Sequence, residues 1–249
     1  MNETLSGKAA LVTGSTRGIG YAVAAALRKA GARVFVSGSR DEGVAAAVER
    51  LGAGPDCTGM ACDLTNPESA RDLVAESVGA FGGLDILINN AGIGSVVALD
   101  DIDAAEWSRV LAVNLGATFF ACQAARPVMR AAGGGAIVNL ASIAGQTGGL
   151  AGSPAYAAAK AGVIGLTRNL ARQCAPDKIR VNAVSPADIE TDMTAGWPDA
   201  LREKLIAITP QARFGSVDET VGAILFLAGD TASFITGQTL NVNGGAYMS

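Results

Sequence analysis

Short apolar runs alternate along this chain with longer segments in which apolar residues recur every three or four positions. The short runs, which predict buried strands, are 8–13, 33–37, a run reaching Asp63, 84–89, 136–140, 179–184 and 239–242. Six helical segments alternate with them, among them 19–30, 41–51, 67–81, a long helix opened by 103–106 and ended by 133–135, and a helix that begins at Pro154. This alternation predicts an α/β fold with a single-domain, doubly wound parallel sheet of the Rossmann type, with about seven strands and helices on both faces.

Residues 186–214 break this alternation. Pro186, Gly196, Pro198 and Pro210 interrupt a segment that follows the carboxyl end of a predicted strand, where sheets of this type bind ligands. We expect a substrate lid here, although a rigid insertion would give the same pattern. No long linker or internal repeat divides the rest, so residues 1–249 are predicted to form one domain.

Composition narrows the possible functions. The formal net charge is −4 and no basic run occurs, so nucleic-acid binding is not expected. The sequence has neither a signal-peptide pattern nor an apolar run of membrane-spanning length, so we expect no membrane association and a cytoplasmic location. There is no histidine, and the four cysteines form no C-x-x-C pair, so no metal site is expected and Ser-His-Asp hydrolases are excluded.

A glycine-rich turn connects the first predicted strand to the first predicted helix. Glycines at such a turn let the backbone approach a pyrophosphate, and the free N–H groups of the helix N-terminus favour an anion. The spacing Gly-x-x-x-Gly-x-Gly also suits a turn that only packs helix against strand. The βαβ context favours nucleotide binding, and the predicted contacts are Gly14, Ser15, Arg17, Gly18, Ile19 and Gly20.

The end of the second predicted strand bears on the choice of nucleotide. A carboxylate there would bind the ribose 2′-hydroxyl of NAD, but no acid precedes Asp41. Ser39 and Arg40, together with Arg17, could instead meet a 2′-phosphate. The sequence therefore predicts NADP(H), with a solvated loop charge at Arg40 as the alternative.

Three polar residues form the candidate catalytic group. Tyr156 and Lys160 are four residues apart in an Ala-rich run, which puts them on one face of a helix. A neighbouring ammonium favours phenolate, so we expect a lowered pKa for Tyr156 and proton transfer near neutral pH. Ser142 follows the fifth predicted strand, where its hydroxyl can bind a substrate carbonyl. Taken alone, the run also fits an ordinary helix with its tyrosine in the core.

Taken together and in order, these motifs resemble the short-chain dehydrogenase/reductase family over essentially the whole chain. The matching positions are Thr13-Gly14-x-x-x-Gly18-x-Gly20, Asp63, Asn89-Asn90-Ala91-Gly92, Asn114, Ser142, Tyr156-x-x-x-Lys160 and the loop at Pro186. Within the family, segments 189–194 and 235–245 are similar to bacterial 3-oxoacyl-[acyl-carrier-protein] reductases.

The resemblance implies a role for each matching residue. Tyr156 would be the general acid, Lys160 would lower its pKa and hold the nicotinamide ribose, and Ser142 would orient the carbonyl. Asn114 would anchor a water in a proton relay through Lys160. The further cofactor contacts that it implies are Asp63, Leu64, Asn90, Ala91, Gly92, Ile189 and Thr191. It also implies a homotetramer built partly through the last strand.

The chain departs from the family pattern at two places. Ala187 follows Pro186 where the family usually has glycine, and alanine tolerates positive φ poorly, so we expect this loop to sit differently. Arg172 matches a basic position near the site entrance of the carrier-protein reductases, and Arg168 shares its helix face. Segment 131–135 lacks the second basic residue expected there. Arg126 or Arg130 would be the remaining candidates for a docking surface.

The leading hypothesis is therefore NADPH-dependent reduction of a ketone to a secondary alcohol, with a 3-oxoacyl thioester as preferred substrate and acyl carrier protein as the candidate partner. The alternative is an NAD(P)-dependent enzyme for another small alcohol or ketone, such as a polyol or sugar acid. A nucleotide-sensing module without turnover is the non-enzymatic alternative, and the presence of the full catalytic group argues against it.

Overall fold

A seven-stranded parallel sheet forms the centre of the computed structural model, which describes residues 5–150 and 152–248. Its strands are β1 Ala9–Val12, β2 Arg33–Gly38, β3 Cys57–Ala61, β4 Ile86–Asn89, β5 Gly135–Leu140, β6 Ile179–Pro186 and β7 Thr239–Val242. Their order is β3-β2-β1-β4-β5-β6-β7, and every neighbouring pair is parallel. This confirms the predicted fold class. The strand order reverses at β1 and β4, which is where such sheets bind ligands.

Helices cover both faces of the sheet. Those in the part of the chain described are α1 Gly18–Lys29, α2 Asp41–Arg50, α3 Pro67–Phe81, α4 Ala104–Leu111, α5 Ala117–Ala131, α6 Ala144–Thr147, α7 Pro154–Cys174, α8 Asp192–Ala195, α9 Asp199–Ile208 and α10 Val217–Ala228. Short 3₁₀ turns cover Leu99–Asp101, Ala175–Asp177 and Asp230–Ala232.

The strands are buried on both faces, which explains why they read as continuous apolar runs. Val12 of β1 packs in a core with Leu27 of α1 and Ile224 of α10. Its neighbour Leu11 points to the other face, in a core with Leu73 of α3. Successive residues of one strand therefore serve two separate cores.

Local signals begin several helices where the sequence predicts them. Asn66 accepts a hydrogen bond from the Glu68 amide, Pro67 is the first residue of α3, and Gly82 ends that helix with φ 74°. Asp103 accepts a hydrogen bond of 2.7 Å from the Glu106 amide at the start of α4. These caps satisfy backbone donors that the first helical turn leaves free.

One detail differs from the prediction. The predicted long helix is interrupted, because residues Ala112–Gly116 form a π-helical turn between α4 and α5.

Ala187 avoids the positive φ that alanine tolerates poorly: among the described residues other than glycine, only Lys178 and Ala212 have positive φ. The Ala187 amide donates to the Val242 carbonyl at 3.1 Å, so ordinary extended pairing continues past β6.

Membrane-spanning helices and metal-ligand clusters are both absent from residues 5–150 and 152–248. No helix there combines the length and the apolar character needed to cross a membrane. No group of three or more cysteine, aspartate or glutamate side chains converges as metal ligands within the same residues.

A chain of buried polar side chains ties α7 to the middle of the sheet. Asn89 Nδ2 of β4 donates to Asn139 Oδ1 of β5 at 2.8 Å. Asn139 Nδ2 donates to Thr167 Oγ1 of α7 at 2.9 Å, and that hydroxyl donates to the Val163 carbonyl at 2.8 Å. The Asn139 and Thr167 side chains are fully buried, so water cannot replace a lost partner.

We expect Thr167→Val to lower the free energy of unfolding by about 1–3 kcal/mol, because it leaves the Asn139 amide without an acceptor at nearly constant shape. Urea denaturation at fixed protein concentration measures this change. Thr58→Val on β3, where the hydroxyl makes no hydrogen bond within the part of the chain described, is the matched control and should change it by less than about 0.5 kcal/mol. Equal losses in the two variants would contradict the assignment.

Candidate functional site

A cavity of about 1190 Å³ opens at the carboxyl end of the sheet, between the glycine-rich turn and residues 186–209. The structure gathers the predicted site residues along its wall with two exceptions, Ser15 and Arg40. Those lining it are Gly14, Arg17, Gly18, Ile19, Gly20, Ser39, Asp63, Leu64, Asn90, Ala91, Gly92, Asn114, Ser142, Tyr156, Lys160, Ile189 and Thr191.

The glycine-rich turn forms a cradle that side chains would fill. Gly14 has φ +63°, and a Cβ there would lie 2.8 Å from the Ala91 Cα. A Cβ at Gly20 would collide with the Gly14 carbonyl oxygen and the Asn90 amide. No side chain caps the first turn of α1, which also lacks acidic residues, so its N–H groups remain open to an anion. The cradle therefore fits a dinucleotide pyrophosphate.

Two hydroxyls and one amide hold the cradle in shape. Thr13 Oγ1 accepts hydrogen bonds from the Asn90 and Ala91 amides at 3.0 and 2.9 Å. Asn90 Nδ2 donates back to the Thr13 and Gly14 carbonyls, both at 2.9 Å. Ser15 is fully buried: its hydroxyl donates to the Val12 carbonyl at 2.7 Å and accepts from the Ser37 amide at 3.0 Å. The Ser15 hydroxyl is therefore used inside the turn, and the predicted cofactor contact at Ser15 stays a prediction.

The predicted 2′-phosphate residues are only partly gathered. Ser39 lines the cavity, whereas Arg40 is exposed at the N-cap of α2 and lies outside the lining. Arg17 lines the cavity, and its Nη1 lies 3.8 Å from an Asp192 carboxylate oxygen of α8. Farther along this side, hydrogen bonds from the Thr65 amide and hydroxyl lower the pKa of Asp63, which keeps its carboxylate ionised and oriented.

Asn114 sits in the π-helical turn, where its side chain makes three hydrogen bonds. Its Nδ2 donates to the Val110 carbonyl at 3.0 Å and to the Ile93 carbonyl at 3.1 Å, and its Oδ1 accepts from the Ile93 amide at 3.2 Å. The wider turn places the Asn114 side-chain amide against Ile93 in the loop after β4. Single π-helical turns are often found at functional sites. The family resemblance identified Asn114, but the sequence gave no sign of the altered helix.

Lys160 is nearly inaccessible, with 4% of its surface exposed. Its Nζ donates to the Leu140 carbonyl at the end of β5 at 2.7 Å and lies 5.8 Å from the centre of the Tyr156 ring. Burial lowers the pKa of Lys160 to about 8. A Cβ on Gly92 would lie 2.8 Å from Asn114 Oδ1 and 3.6 Å from Lys160 Nζ, so only glycine lets the backbone pass between them.

Tyr156 faces Ser142 across the same corner. Ser153 caps α7 by accepting from the Tyr156 amide at 3.3 Å, with Pro154 in the first turn, as the sequence predicts. Burial raises the pKa of Tyr156 above its usual value, and a hydrogen bond with the Ser142 hydroxyl offsets part of this rise. The expected lowering by Lys160 is wrong for this structure, because desolvation dominates. The site therefore holds a protonated phenol beside a second hydroxyl.

Sequence reasoning missed several residues of the wall. One side is apolar and consists of Val96, Leu150, Met193, Trp197 and Ile208, of which all but Trp197 are largely exposed. The apolar positions within 193–208 were a usable signal, because they recur at helical spacing. Asp188 and Arg109 also line the cavity, and nothing in their local sequence pattern marked them.

Comparisons with known proteins agree with this geometry. A family model described as "Enoyl-(Acyl carrier protein) reductase" matches residues 14–247. The chain is 43% identical to the 3-oxoacyl-[acyl-carrier-protein] reductase FabG of Vibrio cholerae, over 98% of this chain and 99% of that protein. It is 40% identical to the protein of the same name from Aquifex aeolicus, over 99% and 100% of the two chains.

A solved structure gives the same result for the fold. The "Short-chain dehydrogenase/reductase SDR:Glucose/ribitol dehydrogenase" from Brucella melitensis superposes with a TM-score of 0.93 at 33% identity, covering both chains completely. The family model and the relatives differ in the substrate that their names give, but both cover the cradle and the catalytic corner. The chain therefore belongs to the short-chain dehydrogenase/reductase family and is an oxidoreductase.

Proposed function

We propose that this protein uses NADPH to reduce the ketone of a 3-oxoacyl thioester to a secondary alcohol. The observation that carries the proposal is a single cavity holding a pyrophosphate cradle and a buried Ser142–Tyr156–Lys160 corner. Without the corner, the cradle alone would suit a nucleotide sensor. The cofactor, when bound, supplies the hydride.

The residues of the corner have separable tasks. Tyr156 donates its phenolic proton to the carbonyl oxygen, and the Ser142 hydroxyl turns from Tyr156 to donate its single hydrogen to the same oxygen. Lys160, protonated below a pKa of about 8, places a positive charge where it stabilises the phenolate left after donation. Asn114 fixes the loop beside Lys160 and anchors the return path of the proton.

The cofactor would be held along the remaining wall. The cradle takes the pyrophosphate, Asp63 and Leu64 meet the adenine, and Ile189 with Thr191 borders the nicotinamide. Ser39, Arg17 and Arg40 are the groups for the 2′-phosphate. The Arg40 guanidinium has no hydrogen-bond or ion-pair partner within the described residues, so it is available to turn toward that phosphate.

The apolar wall supports an acyl substrate over a polyol or sugar acid. Residues 186–214 carry α8 and α9, and we propose that this segment is the substrate lid of a single domain spanning 1–249. The loop after β4 approaches this segment at Gly94, where an added Cβ would be in ordinary van der Waals contact with Met193 Sδ at 3.6 Å. The names of the 3-oxoacyl-[acyl-carrier-protein] reductases to which the chain is similar point to the same substrate class.

Acyl carrier protein is the partner we propose, but with a different contact residue from the one expected. Arg172 is in the last turn of α7, sixteen residues beyond Tyr156, or about 24 Å along the helix axis, so it does not stand at the cavity entrance. Arg126, paired with Asp177 at 2.8 Å, does not line the cavity. Arg109 lines the cavity, half-exposed and paired with Glu106, and is the better candidate. A homotetramer and a cytoplasmic location complete the proposal.

Tyr156→Phe should lower the rate of ketone reduction by at least about 10²-fold, because it removes the proton donor and little else. Steady-state NADPH oxidation with a 3-oxoacyl thioester measures the rate. Tyr21→Phe, on α1 and outside the cavity, is the control and should keep the parent rate. If Tyr156→Phe reduces the ketone at the parent rate, Tyr156 is not the proton donor.

Arg40→Ala should weaken NADPH binding about 10- to 100-fold and leave NADH binding nearly unchanged, since only NADPH carries the 2′-phosphate. Cofactor fluorescence titration gives both dissociation constants. Lys29→Ala, at the far end of α1, removes the same charge elsewhere and should affect neither. Equal affinity of the parent protein for the two cofactors would contradict the proposed preference.

Arg109→Gln should raise the KM of a carrier-linked 3-oxoacyl substrate several-fold, with the effect shrinking at high salt, because an acidic carrier loses a cation at the entrance. The KM of ethyl acetoacetate should not change. Arg172→Gln is the matched control and should leave both KM values at the parent level. If Arg172→Gln raises the KM of the carrier-linked substrate more than Arg109→Gln does, the carrier docks at the end of α7 instead.

A further inference from the structure

Asp188 is an acidic side chain in the wall of the catalytic cavity that the reaction does not use. It stands two residues after the end of β6, half-buried, between the catalytic cavity and a second cavity of about 300 Å³. Its backbone position is fixed, since its carbonyl accepts from the Gly215 amide at 2.9 Å and the next residue, Ile189, is buried. The carboxylate therefore has a defined place beside the reacting groups.

The carboxylate of Asp188 has no compensating partner. Within the described residues, no hydrogen bond or ion pair reaches it. Burial raises the pKa of Asp188, and its charge also contributes to the raised pKa of Tyr156. The field of this carboxylate thus reaches the phenol that must meet the substrate oxygen.

The nearby charged groups are committed elsewhere. Lys160 of α7 donates to the Leu140 carbonyl. Arg213, on the second cavity, is held by both carboxylate oxygens of Glu219 at 2.6 and 2.8 Å. On α8, the exposed Asp192 lies toward Arg17. None of these cations cancels the charge of Asp188 at the cavity wall.

We propose that Asp188 determines specificity by excluding anionic ketones from the catalytic site while admitting uncharged esters and thioesters. A 3-oxo acid carries its carboxylate two carbons from the ketone, so binding the ketone at Tyr156 brings a second negative charge close to Asp188. Like charges in a partly desolvated wall repel strongly. An ester or thioester presents the same ketone without this cost. The inference rests on the proposed function, and it separates oxo acids and sugar acids from neutral substrates.

The test compares methyl acetoacetate with acetoacetate, which present the same ketone. The measured quantity is the ratio of their kcat/KM values, which should favour the ester in the parent protein. Asp188→Asn should lower this ratio by at least about tenfold, through a gain for acetoacetate. Asp188→Glu should keep it, and Asp192→Asn, an exposed acid on the same cavity, should leave it unchanged.

The parent protein provides a second measurement between pH 5 and 7, where acetoacetate remains an anion. Lys160, with a pKa of about 8, stays protonated there, and Glu219, with a pKa of about 2, stays ionised. Arg213 keeps its charge and Tyr156 its proton, since the pKa of each is raised. Because burial raises the pKa of Asp188, lowering the pH protonates it more readily than an ordinary aspartate and weakens its repulsion, so the ratio should fall as pH falls, and it should not do so in Asp188→Asn.

A binding measurement keeps the inference separate from the proposed function. Trp197 lines the cavity, and Trp107→Phe leaves it as the only tryptophan of the chain, so its fluorescence reports binding of both ketones without turnover. Failure to reduce either ketone would refute the proposed function, while tighter binding of acetoacetate to Asp188→Asn in that background would still support the role of Asp188. A parent protein that does not discriminate, or a ratio and affinity unchanged in Asp188→Asn, overturns the inference.

Discussion

A buried ammonium with one backbone acceptor sets the geometry of the site. This ammonium belongs to Lys160. It is buried where α7 crosses the end of β5, and there the Leu140 carbonyl accepts a hydrogen bond from it. An unpaired cation at this depth would be very costly, so the hydrogen bond constrains how α7 packs on the sheet. Tyr156, one turn earlier on α7, and Ser142, two residues beyond Leu140, are positioned by the same contact.

The buried polar chain through Asn89, Asn139 and Thr167 also fixes the position of α7 on the sheet. It connects β4, β5 and α7 by hydrogen bonds that have direction, whereas apolar packing alone would let α7 slide. The cradle is fixed separately, by Thr13 and Asn90, which join the loops after β1 and β4. Binding and proton transfer thus depend on two rigid units that meet at the carboxyl edge of one sheet.

Most of the fold could be predicted because its signals are local. Apolar runs mark the strands, and Asn66-Pro67, Asp103 and Ser153-Pro154 mark helix starts through contacts within one turn. The candidate site residues were predicted where a motif fixes the backbone. Local patterns do not give the tertiary environment: burial sets the pKa of Tyr156, and the Ser15 hydroxyl turns inward to Val12 and Ser37.

The π-helical turn at Ala112–Gly116 makes the site sensitive to chain length as well as to side-chain identity. Such a turn holds one more residue than an α-helical turn closes over. Deleting one residue there would let a regular helix run from α4 into α5 with both helices kept in place, because the turn already absorbs the extra residue. Asn114 would then lose its hydrogen bonds to Ile93. Deletions in this stretch should therefore leave the fold intact while removing turnover, and no single substitution would restore the lost turn.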